Sequence, residues 1–485
     1  MSDDYTMLVG GDRVAGGRGT YDIVNPATEQ VVGQAPEVAV DQVDAAAAAA
    51  AEAFGRWSRT TPQRRSELLA RLADILDGQA DDLVPLVQAE TGAVLRVAKT
   101  MQVPQTVDRL RRYARGALEP TAIPLPPTEM PSTPLAPGGL LGTVVERRPV
   151  GVVACITPYN FPLVNMAGKV GPALAMGNTV VVKPAPQDPL AVLRFADAVV
   201  EAGFPPGVVN VVTGSGAEPG EALVASRHVD MVSFTGSTVV GQRIGEVAGR
   251  DMTRLLLELG GKGVGLVFDD ADLETALGAI ASVWAFHSGQ ICTAPTRVIA
   301  QRGIYDQLVT GLQAAAGRLE VGDPLAPGTV VGPVISATQR DRIEAHVGKG
   351  VDEGGTLLAG GERPDMDTGF YVAPTLFADC KPGMSVVQEE IFGPVVVVLP
   401  FDDEDEGVAL ANGTDFGLND YIFTGDTARG LRVARQLRSG SVAINTARQS
   451  PEAPFGGFKR SGVGRDRGSF AMHAYSELQS IVWPG

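Results

Sequence analysis

Between residues 41 and 118 apolar side chains recur every three to four positions. The stretch "VDQVDAAAAAAAEAF" is alanine-rich, and "RRSELLARLADILDGQADDLVPLVQAETG" keeps helical spacing until Gly92, which reads as a stop. The alanine run is low in complexity but strongly helix-forming, so it counts as structure and not as linker. Next comes "EPTAIPLPPTEMPSTPLAPGGLLGTVVERRPVG", whose prolines exclude a helix and predict extended arms or edge strands that leave a domain body. From Val150 the pattern changes. Short Val-rich runs, "GVVACITP", "NTVVVKPA", "GVVNVVTG" and "VDMVSFTG", alternate with helical segments such as "DPLAVLRFADAVVEAG". Continuous apolar runs separated by helices predict a parallel sheet covered on both faces. After about residue 260 the same texture restarts and continues to "VVVVLPFDDEDEGVALANG", so a second α/β unit follows the first.

The length of 485 residues exceeds one compact core and predicts about two to four domains. With 44% hydrophobic and 20% charged residues the chain has an ordinary globular balance, and no run of about 18 apolar residues offers a membrane span. The start, "MSDDYTMLVGGDRV", lacks a basic region followed by an apolar one, so a cytoplasmic protein is expected. Three widely spaced cysteines, Cys155, Cys292 and Cys380, support neither a disulfide framework nor a clustered zinc site, and no metal is expected. A net charge of -16 argues against a nucleic-acid partner, and the pair Arg111-Arg112 reads as a solvated helix face.

Several polar residues sit where chemistry could occur. "VVNVVTGSGAEPGEALV" spaces Gly214, Gly216 and Gly220 one residue too widely for the dinucleotide fingerprint. "VDMVSFTGSTVVGQRIGEV" places Gly236, Ser237 and Gly241 at a strand-to-helix junction, where free N–H groups and a hydroxyl suit a pyrophosphate; conformational need alone would also place glycines there. Lys183 ends a buried-looking strand, either at a ligand or facing solvent. Glu258, within "LLLELGGKGVGLVF", is either a base with a raised pKa or a carboxylate bonded to nearby backbone or to Lys262. Asn160, between aromatic residues, reads as a pocket amide or as a turn residue. Cys292, in "FHSGQICTAPT", reads as core filling or as a nucleophile.

Their order decides among these readings. "PYNFP", "VVVKPA", "FTGSTVVG", "LELGGK", "SGQICTA", "QEEIFGPV" and "INTARQSPEAPFGGFKRSG" follow one another along nearly the whole chain, which strongly resembles the aldehyde dehydrogenase superfamily. The resemblance implies an α/β, aldehyde dehydrogenase-like fold: two sequential parallel-sheet domains, a Rossmann-like cofactor domain (1–122 and 148–259) and a catalytic domain (260–465), plus β oligomerisation arms (123–147 and 466–485). It implies NAD(P)-dependent oxidation of an aldehyde to the acid, with NAD ahead of NADP and a homodimer or homotetramer. By that analogy Cys292 attacks the aldehyde, the Asn160 amide and the Cys292 N–H hold the oxyanion, Glu258 activates the hydrolytic water, and Lys169 relays protons. Ile156, Pro158, Tyr159, Lys183, Gly236, Ser237, Gly241, Leu259, Glu390 and Phe392 resemble the family's cofactor contacts.

Two departures stand out. Pro186 occupies the place where many NAD-using relatives carry a glutamate that would repel a 2'-phosphate, which keeps NADP open. On the helix after Asn160, Val164, Asn165 and Gly168 fall on the expected lining face, with Gly168 leaving room. Together with Phe161, Phe286, Ile291, Thr293 and Phe455 they predict a wide pocket for a medium or bulky, aromatic or terpenoid aldehyde. Arg448 is expected at the tunnel mouth, either meeting a polar or anionic group or simply solvated. The alternatives are a CoA-acylating semialdehyde dehydrogenase, against which Glu258 speaks, and a non-catalytic, crystallin-like protein of the same fold.

Overall fold

The computed structural model describes residues 5–484. The long helices Val40–Trp57, Pro62–Gly78, Ala80–Thr91 and Val103–Gly116 occupy the stretch expected to be helical. Thr61 caps the second, its hydroxyl accepting from the Arg64 N–H, and Pro62 follows at the first turn, where a missing N–H costs nothing. Gly92 ends the third in the left-handed conformation (φ 69°), the stop its position predicts.

The first sheet runs in the order Gly462–Val463, Arg254–Glu258, Met231–Thr235, Val152–Ile156, Thr179–Lys183, Val209–Val211, Met7–Val9, Asp12–Val14. The five strands from Arg254–Glu258 to Val209–Val211 are parallel. Alternation along them fills a core on each face: Val153 and Cys155 point into one, Val152 and Ala154 into the other. The chain lays Thr179–Lys183 and Val209–Val211 to one side of Val152–Ile156, then crosses back to place Met231–Thr235 and Arg254–Glu258 on the other. Such a reversal opens a crevice at the carboxyl ends of the strands. Ile156, Lys183, Thr235 and Glu258, each the last residue of its strand, all line one cavity there.

The second sheet runs Thr356–Ala359, Thr375–Ala378, Val395–Phe401, Arg297–Gln301, Val264–Val267, Asn419–Phe423, Ser441–Ile444, parallel except for its first strand. It meets the cavity the opposite way round. Cys292 precedes Arg297–Gln301, and Glu390 and Phe392 precede Val395–Phe401, so this sheet contributes from its amino ends.

A third, antiparallel sheet of Ser476–Pro484, Gly139–Pro149 and Ala122–Met130 carries exposed Leu125, Leu140, Ile481 and Trp483. Between it and the second sheet the tail returns to the first unit. Gly462–Val463 pairs with Leu257 and Glu258, and Ala471, Met472 and Tyr475 enter the first core. An arm was expected from residue 466 onward; instead residues 468–474 form a helix packed on the first unit, because its apolar face is buried there. No helix among the described residues is long and apolar enough to cross a membrane.

Asn178 fastens that return. Its Oδ1 accepts from the Gly151 N–H (2.9 Å), and its Nδ2 donates to the carbonyls of Ala173 (3.0 Å) and Tyr475 (2.9 Å). Removing this fully buried amide leaves the Gly151 N–H and the Tyr475 carbonyl unpaired, while the Ala173 carbonyl keeps the bond from the Asn178 backbone N–H (2.9 Å). Asn178→Ala is expected to lower stability by about 2–4 kcal/mol, read as a fall in the midpoint of the first urea transition.

Candidate active site

Cys292 owes its position to a strained turn. The helix Leu273–Trp284, capped by Asp272, is tied down by a hydrogen bond from the Trp284 indole N–H to the Pro394 carbonyl (2.8 Å). His287 (φ 49°), Ser288 (φ 58°) and Gly289 (φ 74°) then turn left-handed in succession. Non-glycine residues in this region cost on the order of 1 kcal/mol or more each, so packing must hold them. A Cβ on Gly289 would collide with the Gly393 backbone, which is why that position has none. Gln290 locks the turn. Its Oε1 accepts from Ile335 N–H (3.0 Å), its Nε2 donates to the His287 carbonyl (3.2 Å), and its own carbonyl accepts from Asn160 Nδ2 (2.8 Å).

Asn160 is thereby held beside the cysteine loop. Its Oδ1 accepts from the Phe161 N–H (3.0 Å), ahead of the helix Pro162–Ala175. One amide hydrogen goes to Gln290, and the second remains for the cavity that Asn160 lines. A donor fixed in this way suits charge developing on a carbonyl oxygen.

Glu258 ends a strand of the first sheet and is buried, with no hydrogen-bond partner for either carboxylate oxygen among the described residues. Burial, reinforced by the Asp466 charge, holds its pKa well above the usual carboxylate range, while Lys169, Arg465 and Arg467 act the other way. Cys292 is partly exposed. Burial first, then Glu390 and Glu258, pushes its thiol up to about 12, opposed by Arg467 and by its own backbone N–H. Cys155 and Cys380 are also pushed up to about 12 but lie in the two cores, away from the cavity. Location therefore separates Cys292, on the cavity, from the two core cysteines.

The cavity, of about 1520 Å³, brings together Cys292, Glu258 and Asn160 with Ile156, Pro158, Tyr159, Lys183, Gly236, Ser237, Leu259, Glu390 and Phe392. Ser237 caps the helix Thr238–Asp251, its Oγ accepting from Val240 N–H (3.4 Å), so the positive end of that helix faces the cavity. Lys183 is buried and does not face solvent; its Nζ donates to the Pro184 carbonyl (3.1 Å), and burial lowers its pKa to about 8. Glu390 Oε1 accepts from Gly261 N–H (2.9 Å), and burial raises its pKa to about 7. Tyr159 and Phe392 meet edge to face at 5.9 Å. Gly241 stands behind this wall, where a Cβ would come within 2.5 Å of Leu259.

Phe161, Val164, Asn165, Phe286, Ile291, Thr293 and Phe455 line the other end, with exposed Arg448. Gly168 does not. The room it leaves is filled by the Arg109 guanidinium, with which a Cβ at 168 would collide. Lys169 also lies behind the wall, fully buried, its Nζ donating to Ser233 Oγ (3.2 Å), which in turn shares a hydrogen bond with Tyr475 Oη (2.7 Å). Burial lowers its pKa, and the charges of Asp466 and Glu258 reach it. Sequence reading missed Arg109, Asp466 and Arg467 on this cavity. The one signal was "GVGRDRG", an Asp-Arg pair among glycines in a tail read as an arm. Gly216, of the other glycine-rich segment, lines a separate small hollow with Arg18 and Glu37.

Comparison with known proteins agrees with this geometry. The sequence pattern of the aldehyde dehydrogenase family matches residues 14–481. A phenylacetaldehyde dehydrogenase of Pseudomonas fluorescens is 40% identical over 484 residues, covering 99% of this chain and 95% of the other. An aldehyde dehydrogenase of Emericella nidulans is 38% identical, covering 98% and 94%. Among solved structures, betaine aldehyde dehydrogenase of Staphylococcus aureus in complex with NAD+ superposes with a TM-score of 0.94 at 33% identity, covering 99% and 97%. An NAD-dependent aldehyde dehydrogenase of Sinorhizobium meliloti gives 0.93 at 38%, covering 99% and 94%. With fold, cavity and sequence in agreement along the whole length, this chain belongs to the aldehyde dehydrogenase family.

Proposed function

We propose that the protein oxidises an aldehyde to its carboxylic acid with NAD or NADP as hydride acceptor, through an acyl group carried on Cys292. The observation that carries this reading is the meeting of Cys292, the Asn160 amide and an unpartnered, buried Glu258 in one cavity. Glu258 or a water takes the thiol proton, and the sulfur adds to the aldehyde carbon. Negative charge then develops on the former carbonyl oxygen, where the Asn160 amide and the Cys292 N–H stabilise it. The C–H bond breaks with its electron pair, leaving a thioester. Glu258 next takes a proton from water, which attacks the thioester and frees the acid and the thiol. A free buried carboxylate supports transfer to water over transfer to CoA. Between the two steps Glu258 must release its proton, and Lys169, held by Ser233, and Asp466 act on Glu258 from behind the wall, where they would carry that proton away.

NAD(P), when bound, supplies the hydride acceptor. The cavity fits it: a helix N-terminus capped by Ser237 suits the pyrophosphate, Lys183 the adenosine ribose, and Glu390 the nicotinamide ribose with Phe392 beside it. The NAD+ complex of the Staphylococcus aureus relative and the NAD-dependent enzyme of Sinorhizobium meliloti support NAD. Pro186 and Gln187 line the cavity next to Lys183 in place of a carboxylate, which leaves NADP open, while the Glu37 charge that reaches Lys183 keeps NAD ahead. Phe161, Phe286 and Phe455 favour a bulky, aromatic aldehyde body, as does the phenylacetaldehyde relative. The exposed apolar side chains of the arm sheet favour pairing with a second copy of the chain, as a dimer or tetramer.

Cys292→Ala is expected to reduce NADH formation by at least about a thousandfold; retained turnover would sink the nucleophile assignment. Glu258→Gln is expected to give a burst of about one NADH per site followed by a steady rate about a hundredfold or more below wild type, because water can take the thiol proton in its place during acylation whereas hydrolysis needs the base. A linear time course at full rate would remove Glu258 from that role.

Glu258 also predicts a pH dependence. Its folded pKa is raised, so the fold favours the protonated form: stability is fully present below the unfolded value of about 4.3 and declines as pH rises through the folded value. Turnover should increase over that same rise. Glu258→Gln is expected to be more stable than wild type by about 1–3 kcal/mol at pH 8, with the gap closing toward pH 4 in urea titrations. Separately, Pro186→Glu should raise the ratio of kcat/KM for NAD over NADP by about tenfold, measured with one aldehyde at fixed pH.

A further inference from the structure

We infer that the substrate carries a carboxylate remote from its aldehyde carbon, held by the guanidinium groups of Arg467 and Arg109. This rests on the activity proposed above and specifies its substrate.

Arg467 is placed with unusual backbone effort. Its φ of 68° and ψ of 154° lie in a region that glycine alone adopts freely. The surroundings enforce it. Phe455 and Asp466 exchange two backbone hydrogen bonds (2.8 and 2.6 Å), the Asp466 carboxylate accepts from the Arg467 N–H (2.7 Å), and Gly468 packs against the Glu452 carbonyl. The guanidinium then lies 4.2 Å from the centroid of the Phe455 ring, and its Nη1 donates to Gln449 Oε1 (2.7 Å). Gln449 is itself held by Asn419 (2.8 Å). An arginine stacked on one side and tied at one nitrogen keeps most of its five donors, in a fixed fork, for a ligand in the cavity it lines.

Arg109 enters from the helix Val103–Gly116 and occupies the space over Gly168, its Nη1 donating to the Val164 carbonyl (2.9 Å). Its partner there is a backbone carbonyl and not an acid. The neighbouring arginines differ in this respect: Arg111 pairs with Asp74 and Asp77, and Arg112 with Glu119 and Glu452. Neither Arg109 nor Arg467 forms an ion pair with a carboxylate among the described residues. The two cations are close enough that Arg109 is among the groups lowering the Arg467 pKa, which burial sets to about 10. Asp466 is the nearest acid, and its charge is shared with Lys169 and Glu258 behind the wall.

Two half-buried like charges thus line one cavity of a chain of net charge -16, without an acid paired to either among the described residues. Removing water from such a pair is costly unless an anion replaces it, and a carboxylate fits the arginine fork with two parallel hydrogen bonds. A neutral aldehyde would displace that water and return nothing, so the site discriminates against it. Exposed Arg448 on the same cavity adds attraction at the entrance. Phe161, Phe286 and Phe455 supply apolar walls for the body between aldehyde and carboxylate.

The test uses matched pairs of acid and methyl ester: 4-formylbenzoate, and ω-oxo acids of four, six and eight carbons. In the best pair, kcat/KM for the acid should exceed that for the ester by at least about thirtyfold. Arg467→Gln and Arg109→Met should each reduce this ratio by at least about tenfold, with Arg467→Lys intermediate because it keeps charge without the fork. A calorimetric titration with 4-(hydroxymethyl)benzoate should show binding to the wild type that both variants weaken by a similar factor, which also reports whether they fold. Esters that match or outperform their acids in every pair would overturn the anion site and leave aldehyde oxidation standing. So would variants that slow acid and ester equally, the result expected if Arg467 served only the Cys292 thiolate. Arginine-dependent binding of the benzoate without oxidation of any aldehyde would overturn the activity and retain the anion site.

Discussion

The structure depends on one tight passage, residues 259 to 263, where the chain leaves the first sheet and enters the second. A Cβ on Gly260 would collide with the Glu390 carboxylate, and one on Gly261 with the Cys292 carbonyl. Because neither exists, Glu390 can accept from the Gly261 N–H, and the cysteine loop can rest on the segment that follows Glu258. From the other side the Leu259 N–H donates to the Ser461 carbonyl, and Gly462 pairs with Glu258. Cys292, Glu258 and Glu390, carried by three distant stretches of chain, are thus positioned by backbone contact. Side-chain flexibility enters little into their spacing, as a near-attack geometry requires.

Opposite ends of two sheets meet at this passage. Open α/β sheets bind ligands at strand carboxyl ends, and the first sheet obeys, with Ile156, Lys183, Thr235 and Glu258 all at such ends. The second sheet contributes Cys292 and Glu390 from loops before its strands, and Arg448 and Gln449 from the loop after its edge strand Ser441–Ile444. The arrangement buries the site between two rigid bodies. That burial is the main force raising the pKa values of Glu258, Glu390 and Cys292 and lowering that of Lys169. At rest the centre therefore favours neutral forms, and each proton movement there creates charge in a place where fixed dipoles act strongly.

This division explains what could be read from the sequence. The helices of residues 41–118, the stop at Gly92 and the Val-rich parallel strands follow from periodicity and local backbone preference, which are properties of neighbours along the chain. The convergence of Cys292, Glu258 and Asn160 on one cavity was legible because their flanking residues form distinctive short motifs. What was not legible depends on approach between distant segments. Gly168 reads as open space on its helix, yet the space belongs to Arg109 from another helix. Residues 468–474 read as an arm because nothing local says that Ala471, Met472 and Tyr475 find a core elsewhere. Arg467 was hidden for a further reason: a backbone conformation suited to glycine, held by an arginine, contradicts the local rule, and such contradictions concentrate where function sets the geometry.

Charge along the cavity follows the same logic. The chain is strongly acidic, but both flanks of the cavity are positive: Lys183 and a helix N-terminus at one end, Arg109 and Arg467 at the other, with Glu258 and Cys292 favouring neutral forms between them. Under the function proposed above, a dinucleotide would bring its phosphates to the first flank, and an anionic aldehyde its carboxylate to the second. Each anion cancels a local excess before chemistry begins, so binding aligns the ligands without placing net charge beside the thiol. In the empty enzyme Arg467 opposes, without overcoming, the burial that holds Cys292 and Glu258 in their neutral forms. A carboxylate on Arg109 and Arg467 would weaken their field and raise the Glu258 pKa further, making its ionised form a stronger proton acceptor while favouring the neutral form at a given pH.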